Sequence, residues 1–462
     1  MNRLFTEDNR APLAFGIMAA LLLSVGFGQS WSLSLAILNL CLISAIMSLG
    51  VNIQWGYAGL LNLGVMGFTS LGGLAAVLVS QAPILEAWAV GGQGMLTSFV
   101  LVVITIVLAI LVYRSVAPGR PRRIAMTLLF IGAYFVINSF YAPAVKAIEG
   151  VNPASEGFLG GMGLPIIFSW LLGGILAAGV AWLIGKITLG LRSDYLAIAT
   201  LGISEIIIAV LKNEDWLARG VKNVVGIDPA PVPEPIVLQN SPWFIDLVSS
   251  LFSGRLDQMG DLAAQKALND LVIQSSSIFV KLCFTSLFLV VLIAILWLSI
   301  RALNSPWGRM MRAIRDNEEA ANAMGKNVVK QHLQVFILGS AVVGIAGAML
   351  VTLDGQFTPT SYQPLRFTFL VWLMVIVGGS GNNLGAVFGG FFIWFMWIEA
   401  EPASIAFMDL VTSSMDAENG LREHLLKSAP HLRLAIMGLV LLLTMRFMPK
   451  GIIPERTRLH SI

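Results

Sequence analysis

The sequence predicts an all-α fold, a polytopic transmembrane helical bundle. Three observations carry that reading. First, 56% of the 462 residues are hydrophobic and only 12% are charged, with a mean hydropathy of +0.81. That charged share is about half of what a soluble domain carries, so the polar residues needed to coat a soluble core are missing. Second, apolar runs near the length that spans a bilayer as a helix recur along the chain, and a helix satisfies its own backbone in lipid. Third, Lys and Arg concentrate in alternate connections between those runs. Together these exclude a soluble cytosolic enzyme, a disordered chain and a nucleic-acid binder with a basic face. The net charge of +3 is too small to imply an acidic partner. Cys41 and Cys283 lie inside apolar stretches and read as small core residues.

About twelve spans are expected: 11–29, 33–51, 57–80, 95–113, 124–143, 164–186, 193–212, 277–300, 329–352, 365–378, 383–399 and 431–447. The tenth and eleventh are short and separated by Gly378, Gly379, Ser380 and Gly381, which suggests half-helices or a re-entrant pair. No small-residue cleavage site follows Gly28-Gln29-Ser30, so the first span reads as retained. Arg114, Arg120, Arg122 and Arg123 share one connection, Lys186 and Arg192 flank another, and 301–330 is a third basic segment. Arg446, Lys450, Arg456 and Arg458 follow the last span. The connections of opposite parity hold Glu86, Glu149, Glu156, Glu399, Glu401, Asp409, Asp416 and Glu418. Positive residues collect on the cytoplasmic side, so both termini are expected there.

The chain divides into 1–90 and an apparent inserted pair at 91–163, then 164–212, an outer segment 213–276 and the span 277–300. A cytoplasmic loop 301–330, spans 331–399, a second outer loop 400–430 and a final helix with tail, 431–462, complete it. Pro229, Pro231, Pro233 and Pro235 alternate, which predicts an extended stretch.

Within 301–330, Ser305-Pro306 is a helix start, with a capping hydroxyl and Pro at the first helical position. Trp307, Met311, Ile314, Ala321 and Met324 fall on one stripe, and Gly325 ends the helix at a residue free to take positive φ. The expectation is one amphipathic helix followed by a glycine corner. On physical grounds it either lies on lipid headgroups or docks a soluble partner.

Glycines cluster at 56, 59, 64, 67, 72 and 73, and small-xxx-small spacings occur at Gly72/Ala76, Gly173/Ala177 and Gly344/Ala348. Such spacings permit close helix approach, and a break over 56–73 is a candidate lining of a solute path. Asn52, Tyr57, Gly59, Asn62, Gly64 and Glu205 are the candidate path residues. Glu205 lies mid-span, where a carboxylate costs a few kcal/mol unless paired or wet, and Lys281 is its candidate partner. Asp194 reads as the N-terminal cap of its helix and His332 as a surface residue. No G-x-x-x-x-G-K-[ST], G-x-S-x-G, H-E-x-x-H or C-x-x-C occurs, so neither nucleotide binding nor covalent chemistry is indicated.

Several strings carry a resemblance. Glu319-Ala320-Ala321-Asn322-Ala323-Met324-Gly325 fits E-A-A-x-x-x-G, the cytoplasmic signature of permease subunits of prokaryotic ABC importers. The family's later Leu-Pro is replaced by Val335-Phe336-Ile337-Leu338. The segments 50–64, 191–202 (with Asp194-Tyr195-Leu196-Ala197-Ile198), 306–318, 377–381 and 449–454 occur in family order. They resemble blocks of the LivM-type permeases of branched-chain amino acid ABC importers. The resemblance implies an ABC importer permease fold. It also implies an ATPase-coupling role for Trp307, Gly308, Arg309, Arg312, Arg315, Glu319, Ala320 and Gly325. It implies no cofactor of the chain's own, ATP being bound by two cytoplasmic ATPase subunits. A LivH-like second permease, a periplasmic binding protein and membrane lipid are the other implied partners, with the bacterial inner membrane as location. Related systems carry urea or short amides. An ion-coupled secondary transporter, with Glu205 and Lys281 as coupling charges, is the more remote alternative.

Overall fold

A computed structural model of the chain describes residues 9–191, 193–258, 261–413, 415 and 420–455. Arg192, Asp416, Glu418, Arg456 and Arg458, invoked above for orientation, lie outside the described residues. Each expected apolar run contains a helix. Among the described residues ten helices are long and apolar enough to cross a membrane, and two shorter ones, Val65–Ser80 and Pro364–Gly378, join them in the core.

The long and packing helices are α1 (Arg10–Gly28), α2 (Trp31–Val51), α3 (Val65–Ser80), α4 (Gln93–Ser115), α5 (Arg120–Glu149), α6 (Ile167–Thr188) and α7 (Ser193–Asn213). They continue with α8 (Asp261–Asn304), α9 (Pro306–Asp316), α10 (Glu318–Ala323), α11 (Val328–Asp354), α12 (Pro364–Gly378), α13 (Asn383–Val411), α14 (Gly420–Ser428) and α15 (Leu432–Phe447). The only strands among the described residues, β1 (Val224–Val225) and β2 (Gln356–Phe357), pair antiparallel with Val224 opposite Phe357. That pairing ties the segment after α7 to the end of α11.

Helix α2 is the axis of the bundle. Every residue from Cys41 to Val51 is buried, covered by α8, α11 and α13. The three small-xxx-small motifs meet one another. A Cβ at Gly344 would lie 2.5 Å from both the Ala177 Cβ and the Gly173 carbonyl, and one at Gly173 would lie 3.1 Å from the Gly72 Cα. So α3, α6 and α11 approach backbone to backbone, the contact that replaces hydrophobic drive where the solvent is lipid. The α4–α5 pair at 91–163 stands apart, a hairpin whose two helices pack chiefly on each other. It is attached at one end, where Ala87, Met95, Ala144 and Ile148 form a small separate cluster. Beside that cluster, Tyr141 donates to the Glu214 carboxylate and the Trp216 indole donates to the Tyr141 hydroxyl at 2.9 Å.

Several expectations are corrected. The span expected at 57–80 is helical only from Val65, because the chain leaves α2 through a π-helical turn, Asn52–Gly56, and an irregular stretch. The pair 365–399 is not two half-helices. Helix α12 has 15 residues and α13 has 29, which continue past Glu399 and Glu401. Those carboxylates end the apolar run in sequence but not the helix, because Gln29 donates to Glu399 at 3.1 Å and Arg433 pairs with Glu401. The second outer loop is therefore largely helical.

Similarly, 261–276 belongs to the 44-residue α8. The proline run is turned, not extended: the Val232 amide donates to the Pro229 carbonyl at 3.1 Å and Asp228 accepts from the Ala230 amide at 2.9 Å. Proline fixes φ but not ψ, and an Asx turn bends the chain there. Glu205 and Lys281 do not pair. The Lys281 ammonium donates to the Ser32 hydroxyl at 2.6 Å and to its carbonyl at 3.0 Å. Asp194 sits inside the first turn of α7, not at the cap, where it still opposes the helix dipole. His332 is buried, not on the surface, near where α10 leads back into α11.

Candidate functional site at the elbow

The basic segment between α8 and α11 is two helices, not one. Helix α9 begins at Pro306 and stops at Asp316, where Asn317 turns extended (φ −157°, ψ 99°). The Asn317 side chain then accepts from the Ala320 amide at 2.9 Å and starts α10. An Asn that caps a following helix competes with continuation of the preceding one, which is why the stripe read as continuous breaks there. Met311 and Ile314 are buried, Trp307 is half-buried, and Met324, beyond the break, is 81% exposed. Ser305 holds the N-cap position, but its hydroxyl donates to the Ala302 carbonyl at 2.6 Å instead of capping α9. Gly325 takes φ +76°, as a corner after α10 requires.

Two contacts fasten the N-terminal end of α9 to the bundle. The Trp307 indole donates to Gln334 of α11 at 3.0 Å. Gly308 lies on the backbone of Leu303, leaving no room for a Cβ. Gly308→Val is expected to lift α9 from this seat and speed tryptic cleavage after Arg312 and Arg315 several-fold. Unchanged cleavage would show that the seat does not hold the elbow. Arg309, Glu319, Ala320 and Gly325 remain exposed and form the outward surface of the elbow.

The inward surface is a polar node. Arg315 Nη1 donates to the Gly56 carbonyl at 2.5 Å and to Glu455 Oε2 at 3.0 Å, while its Nε reaches Asp316 at 3.2 Å. Arg312 lies 3.9 Å from the other Glu455 oxygen, donates to the Leu303 carbonyl at 3.1 Å and sits over the Tyr57 ring. Burial dominates the Tyr57 hydroxyl and pushes its pKa up to about 12, against the pull of Arg312. Behind Gly56, Asn52 accepts from the Gly381 amide at 2.9 Å and donates to Asn383 at 3.2 Å. The Ile452 and Ile453 amides donate to the Val377 and Gly378 carbonyls, both at 2.9 Å, and Asn382 donates to the Pro454 carbonyl at 2.9 Å. Gly379 and Gly381 have φ of +122° and +79°, which lets the 379–382 turn fold under the C-terminal segment.

The irregular stretch 57–64 leads from this node into the core. Asn62 donates to Gln54 at 2.9 Å and accepts from the Gly64 amide at 2.8 Å, while its carbonyl accepts from Trp372 at 3.0 Å. Thr200 of α7 accepts from the Leu63 amide at 3.0 Å, and a Cβ at Gly64 would meet the Thr200 carbonyl at 2.8 Å. Gln54 donates to the Phe336 carbonyl and to Ser340. Buried backbone outside regular structure must find partners, and here side chains supply them.

The structure therefore brings together Asn52, Tyr57, Asn62 and Gly64 with Arg312 and Arg315 in one network, with Gly59 exposed beside Arg315. It separates Glu205, which is exposed on α7 elsewhere. Sequence reading missed Glu455, Gln54 and Asn383. Glu455 follows directly on the 449–454 segment, and a lone acid in a basic tail is the available signal.

Segments far apart in the sequence, 52–64, 303–316, 377–383 and 452–455, thus meet at one hydrogen-bonded node between an exposed elbow and a buried core. The class is that of the transport permeases, multi-pass all-α bundles. The chain belongs to the family described as branched-chain amino acid transport system / permease component, whose model matches residues 33–169 and 154–445. It is 23% identical over 354 residues to a probable branched-chain amino acid transport permease protein LivM of Methanocaldococcus jannaschii, covering 76% of this chain and 84% of that one. It is 28% identical over 222 residues to the high-affinity branched-chain amino acid transport system permease protein LivM of Escherichia coli, covering 47% of this chain and 46% of that one. The alignment thus spans about half the length of this relative. A xylose transport system permease protein XylH of Escherichia coli is 32% identical over 94 residues, 20% of this chain and 24% of that one. No solved structure matches the chain. The LivM-type resemblance read from the sequence is borne out.

Proposed function

We propose that this chain is the LivM-like permease subunit of an ATP-driven ABC importer. It sits in a bacterial inner membrane with both termini cytoplasmic, beside a LivH-like second permease. Two cytoplasmic ATPase subunits bind and hydrolyse ATP, so the chain needs no cofactor of its own. A periplasmic binding protein delivers a branched-chain amino acid, and the 213–260 and 412–430 segments dock it. The single observation that carries this reading is the Arg315 link from α9 to the Gly56 carbonyl. It joins a helix with an exposed outer surface to the turn that ends the central helix α2. A push on α9 and α10 is thereby delivered to Asn52, Tyr57, Asn62 and Gly64, whose hydrogen-bonded stretch is the element able to rearrange between two packings.

The elbow surface presents both signs of charge, Glu318 and Glu319 beside Arg309 and Lys326, which a polar protein groove can match pair by pair. Glu318 and Glu319 stand exposed beside Ala320 and Met324, and paired carboxylates are repelled by an anionic membrane surface. The test is co-purification of a P-loop ATPase with the chain. Gly325→Val, which strains a positive-φ corner without striking any neighbour, is expected to abolish retention of the ATPase. Retention at the parent level, or an elbow that labels only with lipid probes, would overturn the coupling role.

A further inference from the structure

Glu205 has an explanation once its surroundings are known. It lines an open cavity of about 960 Å3 between α7, α12 and α15, together with Lys212, Arg366, Arg433, Phe369 and Leu434. The charges are arranged by depth. Lys212 is seven residues beyond Glu205 on the same helix, about 10 Å along its axis. Arg366 belongs to the first turn of α12, which starts at the end of the bundle where α7 finishes. So the cations lie toward that end of the bundle and the carboxylate about two turns further along α7. Arg433 is neutralised by Glu401 and lies over the Trp397 ring. Arg366 stacks on the same ring at 4.8 Å, and among the described residues neither Arg366, Lys212 nor Glu205 has an ion-pair partner. An unpaired carboxylate at membrane depth is tolerated in a wet cavity and marks a solute site, and two cations at the helix ends stand within reach of the same cavity. Phe369 and Leu434 add an apolar wall.

We infer that this cavity is an entry site for a zwitterion with an apolar side chain, its carboxylate held toward Arg366 and Lys212 and its ammonium drawn inward by Glu205. The order of charges fixes the solute's direction of entry, ammonium first. This rests on the permease reading above and adds to it a site and a recognition chemistry.

The experiment uses the assembled transporter with its ATPases and binding protein in proteoliposomes, leucine as probe, and Cys41 and Cys283 replaced by alanine. Glu205→Cys is expected to lower ATP-driven leucine uptake at least about tenfold, the loss that follows removal of one charge from a partly desolvated site. Modification with a sulfonatoethyl thiosulfonate, which restores a negative charge, should recover uptake, whereas the trimethylammonioethyl reagent should not. At Arg366→Cys the reagents should exchange roles. Because the charge is restored after folding, a mere folding defect cannot imitate this sign dependence. Uptake unaffected by Glu205→Cys, or recovered equally by both reagents, overturns the inference while leaving the permease reading intact. A parent transporter that accumulates no leucine under ATP defeats the permease reading itself.

Discussion

Arg315→Ala uncouples the transporter: ATP hydrolysis persists while solute uptake falls more than about tenfold, the equivalent of 1.4 kcal/mol in the coupling between elbow and core. Arg315 touches α9's own acid, the turn that ends α2 and the C-terminal segment at once. Its side chain is 25% exposed and that of Glu455 is 23% exposed. The pair therefore falls between the exposed limit, worth little, and the buried limit, costly to break, and its loss should destabilise by about 2 kcal/mol. Removing it also leaves the Gly56 carbonyl without this donor. Glu455→Gln keeps an acceptor for Arg315 but not the charge, so it should fall between parent and Arg315→Ala. Assay of ATPase activity and uptake on the same proteoliposomes distinguishes these outcomes. A parallel fall in both activities would mean that the node holds the fold together without transmitting anything.

Gly344→Leu prevents α3, α6 and α11 from closing on one another, and the chain should be recovered, if at all, as aggregate in detergent. The obstacle is backbone and a neighbouring Ala177 Cβ, neither of which can rotate aside. Overpacking against movable side chains costs about 1–3 kcal/mol, and against backbone the cost lies at or above the top of that range. Gly179→Leu is the matched control: it lies on α6, and a Cβ there meets nothing within 4 Å. Size-exclusion chromatography and thermal denaturation of the two variants should differ sharply. If they behave alike, the close approach of these three helices is not what stabilises the bundle.

The small-xxx-small spacings show how much of this fold was legible from sequence. Gly72, Gly173 and Gly344 could be read as packing positions because lipid offers helices little reason to associate except close fit. Their mutual contact could not be read, since spacing says nothing about which helices are neighbours. Among the described residues the apolar runs located each helix long enough to cross a membrane, but charges misled at the ends. Glu399 and Glu401 looked like a membrane boundary, and only Gln29 and Arg433, distant in sequence, explain why the helix continues. At the elbow, Pro306 and Gly325 marked the ends correctly. Asn317 was passed over because its cap depends on a backbone break that periodicity alone does not register. The node was visible as separate motifs, and Glu455 was missed because a single acid acquires meaning only beside two arginines. A mid-span carboxylate at Glu205 is expected to be either paired, with Lys281 as candidate partner, or wet, and sequence does not decide between the two. Serine oxygens satisfied Lys281 instead, which left Glu205 free to face the cavity.

Helix α8 has 44 residues, a length of about 66 Å, roughly twice the hydrocarbon thickness it crosses. Near its middle, at Phe279, it carries the short helix Pro242–Leu251 through Phe244, and at its C-terminal end it runs into the Leu303 seat of Gly308. Midway it is pinned to α2 by Lys281 and by Thr285, which donates to Asn39 at 2.9 Å. A stiff shaft supported near its middle behaves as a balance beam. Displacement vanishes at such a support, so a tilt at the Leu303 end moves the elbow while the Pro242–Leu251 helix, seated beside the support at Phe279, stays still.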